Sequence, residues 1–320
     1  MSPKDPARFE RARRLVKAFV QAHPHVARAL PARGFMRGID AYRPEKLVVF
    51  VANAIDDFRA RNGRDPDLVA LPETRDHFFL MKFFAPIPLP SPADKLGLSA
   101  YLTAEAAARA FVPARPWVSE EPRLPPDDAV PPGRYYAKLA LGYENNLPLA
   151  WPPSPGERGR IDAVLEDWFR RPRFGVIVGE WWYALGKQRV FLEEDLSERM
   201  AGRPEAKIYV REGKPVMGYL IAHDFKTRVH GQRYFDAQLR PLDGLTRGYR
   251  RVEDPLPESI GEMMALAAAA GEKFRLVRVD FLDVGGPRPC LGELTLCDQN
   301  AGRCYVPPEF DRVAKRLLFD

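Results

Sequence analysis

Apolar positions along this chain change period several times. Phe9, Leu15, Val16 and Phe19 recur at helical spacing among charged residues, which predicts an amphipathic helix over residues 7–21 with a basic outer face. Helices are also expected around 44–61 and 103–111. Proline then interrupts the pattern in three clusters: Ala85-Pro86-Ile87-Pro88-Leu89-Pro90-Ser91-Pro92, the stretch Pro113 to Pro132, and Trp151-Pro152-Pro153-Ser154-Pro155. Such stretches lack backbone donors and read as extended connectors. They divide the chain near residue 130 into a mostly helical N-terminal region, 1–130, and an alternating remainder.

In the remainder, short apolar runs alternate with helical periods, which predicts an α/β fold. Tyr135-Tyr136-Ala137-Lys138-Leu139-Ala140 reads as a strand leading to Gly142, and Ile161, Val164, Leu165 and Trp168 as one helix face. Val176-Ile177-Val178 and Arg189-Val190-Phe191-Leu192 read as buried strands. Ala206 to Val210, the turn Arg211-Glu212-Gly213-Lys214 and Val216 to Ile221 form a hairpin pattern. Pro257 suits the first turn of a helix whose stripe is Ile260, Met263, Met264 and Ala267, with Gly271 at its C-cap. Its methionines read as core filler.

Composition narrows the classes. With 46% hydrophobic residues in 320, the chain can build real cores. No apolar run approaches the ~20 residues of a membrane span, and the charged N-terminus has no signal-peptide core. Cys290, Cys297 and Cys304 form no Cys-x-x-Cys pair, which argues against a zinc ribbon or disulfide framework and for a reducing cytoplasm. The net charge of +6 comes from scattered arginines without a nucleic-acid-binding signature.

The densest chemistry lies between Phe274 and Thr295. Leu276 to Leu282 and Leu291 to Leu296 are strand patterns joined by the turn composition Asp283-Val284-Gly285-Gly286-Pro287-Arg288-Pro289. Alternation puts Arg278 and Asp280 on one face, and Glu293 and Thr295 on one face. A hairpin centred at Gly286–Pro287 sets Asp280 opposite Glu293. Two carboxylates opposed on a mostly apolar hairpin repel and pay for desolvation. A divalent cation resolves that conflict; magnesium takes one or two carboxylates with phosphate and water. Solvent exposure or pairing with arginines resolves it equally well.

Arg278-Val279-Asp280-Phe281, Gly292-Glu293-Leu294-Thr295, Gly302 and Pro307-Pro308-Glu309-Phe310-Asp311 resemble the end of the TupA-like ATP-grasp family, which is associated with teichuronopeptide and cell-surface polysaccharide biosynthesis. Val190 to Leu196 resembles its hinge segment, and Glu205 to Val210 with Gly213-Lys214 its Asp-Tyr-Lys strand and turn. Ala93-Asp94-Lys95 resembles its Asp-Lys motif, and Arg43-Pro44-Glu45-Lys46-Leu47 its Glu-Lys motif. The likeness is concentrated from about residue 189 onward. It implies an ATP-grasp fold behind the helical region, with a first lobe and hinge over 131–196 and a metal-bearing lobe over 197–320.

Carried onto this sequence, the resemblance implies that Asp280 and Glu293 hold magnesium against ATP, with Thr295 where most ATP-grasp enzymes place an Asn ligand. Arg278 would be the catalytic cation, stabilising an acyl phosphate or developing oxyanion. Glu193, Glu194 and Leu196 would line adenine, Glu205 would meet ribose, and Lys138 would correspond to the phosphate lysine of the first lobe, with Lys187 and Lys207 as further phosphate candidates or solvated surface lysines. Around Gly142 the family's Gly-Ser-Gly loop is reduced to one glycine, so Asn145 or Asn146 would supply donors, or catalysis is impaired. Arg228, His230 and Arg233 belong to a polar segment suited to carboxylate or phosphate recognition, or to a surface loop. Trp181-Trp182-Tyr183 reads as lobe-interface core or substrate wall.

The implied activity is ATP- and magnesium-dependent ligation of a small-molecule or glycan-linked carboxylate to an amine, in the cytoplasm and without nucleic acid. The alternatives are a phosphotransferase on the same core and a degenerate nucleotide-binding scaffold. A glycosyltransferase reading lacks a motif.

Overall fold

A computed structural model describes residues 6–23, 44–85, 87–171, 178–223 and 230–320. Arg228, Arg43 and the expected strand residues Val176-Ile177 lie outside these; Val178 sits in a turn. The α/β class expected from the sequence is the one adopted.

Thirteen strands are described. β1 (Trp117–Ser119), β2 (Gly133–Leu139), β3 (Asn146–Trp151) and β4 (Val190–Glu194) make an antiparallel sheet in the order β1-β4-β2-β3. The helix Pro155–Arg170 covers it; Ser154 caps that helix by accepting from Glu157 N–H at 3.4 Å, and Pro155 fits its first turn. Ile161 and Leu165 are fully buried against Ala137, Leu139, Val190 and Leu192. Each such side chain contributes roughly 1.5–3 kcal/mol by leaving water. Leu124 joins this core, and β1 pairs with β4, so the first lobe begins within the second proline cluster. Trp117-Val118-Ser119 is proline-free, and there the extended chain gains a partner.

The larger sheet comprises β5 (Glu205–Arg211), β6 (Lys214–Ala222), β7 (Gly231–Asp236), β8 (Pro241–Leu242), β10 (Arg250–Arg251), β11 (Val277–Leu282) and β12 (Cys290–Thr295). Its order is β10-β7-β6-β5-β11-β12, with β8 on β7. β9 (Leu245–Thr246) and β13 (Tyr305–Val306) pair separately. The helix Ile260–Gly271 packs on one face, and Gly271 lies so close to Val210 that a Cβ would sit 2.4 Å from its side chain. The helices Thr74–Phe84 and Pro308–Phe319 reach the other face, where Phe78 packs on Tyr209 and Phe310 on Tyr234.

Helices Pro6–Ala22, Pro44–Asn62 and Ala104–Arg109 appear where the periodicity put them. Thr74–Phe84 was not anticipated. Its run Phe78-Phe79-Leu80-Met81 has no polar face, because the helix is enclosed by the N-terminal helices, the sheet and the C-terminal helix. A capping box between Glu73 and Asp76 starts it, and Arg64 grips the buried Asp76 at 2.7 and 2.8 Å. One continuous core links Ala12, Phe58 and Phe79 with the larger sheet, so the N-terminal helices and that sheet form one body. Trp181 and Trp182 belong to the same core, with Trp181 Nε1 donating to the Lys82 carbonyl at 2.6 Å.

Candidate active site between the two sheets

β11 lies between β5 and β12, and its register sets the site. Asp280 is opposite Glu293 on β12 and Lys207 on β5; Lys207 is opposite Tyr219, and Tyr219 opposite Tyr234. Cross-strand partners share a face, so these five side chains form one row. The next row holds Arg278 between Thr295 and Tyr209. The hairpin places Asp280 against Glu293, and it does so through a bulge: Phe281 pairs with Leu291, Asp280 with Glu293, and Gly292 is the extra residue between them.

The repulsion expected between those carboxylates is met by cations. Asp280, 4% exposed, accepts Arg278 Nε and Nη2, both at 2.6 Å, and Lys207 Nζ at 2.7 Å. Burial alone would raise its pKa; Arg278 and Lys207 outweigh that and hold it below the ordinary carboxylate range. Burial disfavours the Lys207 charge, yet Asp280 and Glu205 raise its pKa overall. Glu293 is more open, its side chain 45% exposed, with Arg278 Nη2 at 3.7 Å and Thr295 Oγ1 at 3.3 Å.

The charges continue along the sheet on both sides. Glu205 receives Lys207 Nζ and His223 Nε2, each at 3.1 Å, which bring its pKa down to about 2 against the effect of burial. Beyond Arg278, the fully buried Asp298 accepts from Arg278 Nη1 and Tyr209 OH and pairs with Arg303. Arg303 also donates to Tyr234 OH at 2.9 Å, Thr246 Oγ1 at 2.5 Å and Tyr219 OH at 2.7 Å. Signs alternate strictly along Arg303, Asp298, Arg278, Asp280, Lys207 and Glu205.

The smaller sheet presents the opposing wall. Lys138 Nζ meets Glu193 Oε1 at 2.5 Å, and Arg115 holds the other oxygen of Glu193 at 2.8 Å. These cations keep the Glu193 pKa low despite burial. Lys95 Nζ donates to the Gly142 carbonyl at 2.5 Å. Burial lowers its pKa, and it senses Glu293 of the large sheet together with Lys138 and Glu193 of the small one. Lys95 is thus fastened to the end of β2 and the turn after it, with its backbone N–H on the Ala140 carbonyl at 3.0 Å. Burial pushes the Glu180 pKa up to about 7, with the charges of Asp57 and Glu293 adding to the rise.

Several anticipated residues stand elsewhere. Lys187 is exposed and pairs with Glu120 at 3.2 Å, outside the cluster. Arg233 is opposite Leu220, on the face away from Asp280, and donates to the Asp254 carbonyl at 2.6 Å; the alternation of β7 turns it away. His230 lies 5.0 Å from His223 ring to ring, so it reaches the site through His223 and Glu205. At the hinge, Glu194 N–H bonds the Ala114 carbonyl at 2.9 Å, and Asp195 N–H the Arg134 carbonyl at 3.0 Å. Leu196 is buried, in a small cluster with Val284 and Cys290. Around Gly142, Leu139 N–H is taken by the Asn145 carbonyl and Leu141 N–H by Gln188.

Lys95, Arg115, Glu180, Asp298 and Arg303 were not among the anticipated site residues. Lys95 carried a signal, in the Asp94-Lys95 pair. Asp298 carried none: Cys297-Asp298-Gln299-Asn300 has the composition of an exposed turn.

Among the described residues no three His, Cys, Asp or Glu side chains converge as a metal cage. A cation held by Asp280 and Glu293 with phosphate and water needs no third protein carboxylate, and the hard oxygens on adjacent strands fit magnesium. Among the described residues no helix is long and apolar enough to cross a membrane.

No family model matches the chain, and no curated protein matches it. Solved structures do. The ATP-grasp ligase PsnB complexed with minimal precursor is similar at 15% identity over 64% of this chain and 52% of its own, with a TM-score of 0.35. D-alanine–D-alanine ligase from Bacillus anthracis is similar at 13% identity over 70% of this chain and 63% of its own, with a TM-score of 0.39. D-cycloserine synthetase DcsG is similar at 15% identity over 67% of this chain and 66% of its own, with a TM-score of 0.35. The chain therefore spans between half and two thirds of the length of these proteins.

Proposed function

We propose that this chain is an ATP-grasp-type ligase that uses ATP and magnesium to activate a carboxylate and join it to an amine. The observation that carries this reading is the meeting of two differently charged walls. Lys95 and Lys138 approach from the small sheet, while Asp280 and Glu293 stand on the large one with Lys207 and Arg278 beside them. A polyphosphate between them finds cations on both sides and, through the two carboxylates, a place for its metal.

In this mechanism Asp280 and Glu293 would hold magnesium, which when bound neutralises phosphate charge and orients the γ-phosphoryl group. Lys95, Lys138 and Lys207 fix the phosphates. A substrate carboxylate oxygen attacks the γ-phosphorus as the bond to ADP breaks, giving an acyl phosphate. Arg278 faces the charge that develops there. The amine then attacks the acyl carbon, phosphate leaves, and the amine proton passes to solvent or a nearby base. Positioning and charge neutralisation account for such catalysis without a protein nucleophile.

The TupA-like resemblance suggests a cell-surface polysaccharide or peptide carboxylate as substrate. One observation favours a second reading, a nucleotide-binding protein without turnover: the loop that follows β2 carries a single glycine, Gly142. Calorimetry of ATP with and without magnesium, followed by ADP-release assays over carboxylate and amine pairs, separates the two. Magnesium-dependent binding lost in Asp280→Asn, with turnover on some pair, is expected. Binding without turnover on any pair would favour the second reading, and no binding would sink both.

A further inference from the structure

The Asp280 carboxylate is already shared among cations. Both oxygens of Asp280 are engaged, by Arg278 at 2.6 Å twice and by Lys207 at 2.7 Å. A divalent cation on Asp280 would sit against that guanidinium, and like charges at this range repel strongly in a buried site. Arg278 must therefore loosen its grip when metal and nucleotide enter. A guanidinium that is 8% exposed cannot do so if it is left without a counter-ion.

We propose that Asp298 is a positioning residue that supplies this counter-ion. It touches neither Asp280 nor Glu293 in any recorded contact, yet it holds Arg278 through Nη1, the nitrogen that Asp280 does not use. Arg278 thus spends Nε and Nη2 on Asp280, with Thr295 and Glu293 also beside Nη2, and Nη1 on Asp298. It can turn from Asp280 toward a phosphate while Nη1 stays bound. Asp298 is itself fixed by Tyr209 and Arg303, and Arg303 is anchored by Tyr219, Tyr234 and Thr246. The backbone after it passes through three left-handed non-glycine residues, Gln299 (φ 46°), Asn300 (φ 55°) and Ala301 (φ 63°). Such conformations persist only where surrounding contacts enforce them. Here Asn300 Nδ2 donates to Asp57 at 2.7 Å, and Lys82 Nζ donates to the Asn300 carbonyl at 3.3 Å.

The arrangement makes two opposite predictions, which a purely structural role does not. Removing the charge of Asp298 leaves Asp280 as the principal counter-ion of Arg278 and closes the metal site. Removing Arg303 leaves Arg278 as the one cation on Asp298 among the described residues, beside the Tyr209 hydroxyl, which draws the guanidinium off Asp280 and opens the site.

The proposal rests on the ATP and magnesium reading, so the test measures metal uptake directly. Free manganese(II), standing in for magnesium, is followed by electron paramagnetic resonance with the full chain, with and without a non-hydrolysable ATP analogue. Wild type is expected to take up manganese with the analogue beyond what the analogue alone binds, and weakly without it. Asp298→Asn should weaken the analogue-dependent uptake at least tenfold. Arg303→Gln should strengthen uptake without the analogue at least threefold. Unchanged uptake in Asp298→Asn, or weakened uptake in both variants, overturns the positioning role while leaving the metal site standing. If Asp298→Asn does not fold, Arg303→Gln decides alone. No uptake by wild type in either state would instead remove the metal site, and with it the reading on which this rests.

Discussion

Lys95 Nζ donates to the Gly142 carbonyl at 2.5 Å across 47 positions of sequence, tying the turn that follows β2 to a segment that precedes the whole small sheet. That bond makes one side chain both a fastener of the turn and a cation whose charged form Glu293 favours.

Replacing Lys95 with Met should therefore weaken MgATP binding without unfolding the protein. A charge-assisted hydrogen bond contributes about 1.5–3 kcal/mol, so a loss of roughly tenfold to a hundredfold in affinity is expected. Calorimetry alongside thermal melting reads both quantities. Unchanged affinity would take Lys95 out of the nucleotide site.

Glu293 and Asp280 should respond differently to loss of charge. Glu293 is half-exposed, so Glu293→Gln should abolish the magnesium dependence of ATP binding while leaving the melting temperature nearly unchanged. Asp280→Asn strips a buried counter-ion from Arg278 and Lys207 and should cost about 3 kcal/mol of stability as well. Denaturant titration of both variants distinguishes them, and equal destabilisation would contradict the geometry.

Glu180 gives the protein a pH signature near neutrality. Burial raises its pKa from 4.5 to about 7, with Asp57 and Glu293 adding to it and Lys82 and Arg61 opposing. A carboxyl whose folded pKa is raised contributes stability that is complete below its unfolded pKa and lost as pH climbs through the folded one. The wild type should lose stability between pH 5 and 7 on this account, and Glu180→Gln should lose less. Melting temperatures across that interval check it; parallel profiles would refute the assignment.

Leu165→Ala should destabilise by about 2–5 kcal/mol, since it opens a cavity under the small sheet. Lys187→Ala, by contrast, should leave both stability and ATP affinity unchanged, because that lysine is exposed and paired with Glu120. Denaturation and calorimetry on the pair test whether the first lobe binds through Lys138 and Lys95 rather than Lys187.

How much of this was legible beforehand depends on what each residue signals locally. The shared faces of Arg278 with Asp280 and of Glu293 with Thr295 follow from strand alternation, but the pairing of Asp280 with Glu293 depends on a bulge at Gly292 that alternation does not encode. The helix Thr74–Phe84 is enclosed on all sides and loses the polar face by which helices are recognised. Asp298 and Arg303 sit in polar sequence that normally means solvent; their burial follows from three tyrosine hydroxyls brought by β5, β6 and β7. No local pattern encodes that convergence. Lys187 has the opposite fault, a lysine beside a strand whose direction sequence does not fix.

The interleaving of the two cores also fixes an order of assembly. β4 is the second partner of β2 and the sole partner of β1, yet it follows the excursion through Trp181 and Trp182 into the other core. As the chain leaves the ribosome, β2 and β3 emerge with one long edge still open. Open edges invite pairing with other chains. Completion of the small sheet thus waits on β4, and that of the large one on the β11–β12 hairpin, so a nascent chain is most exposed to misassociation just before each arrives.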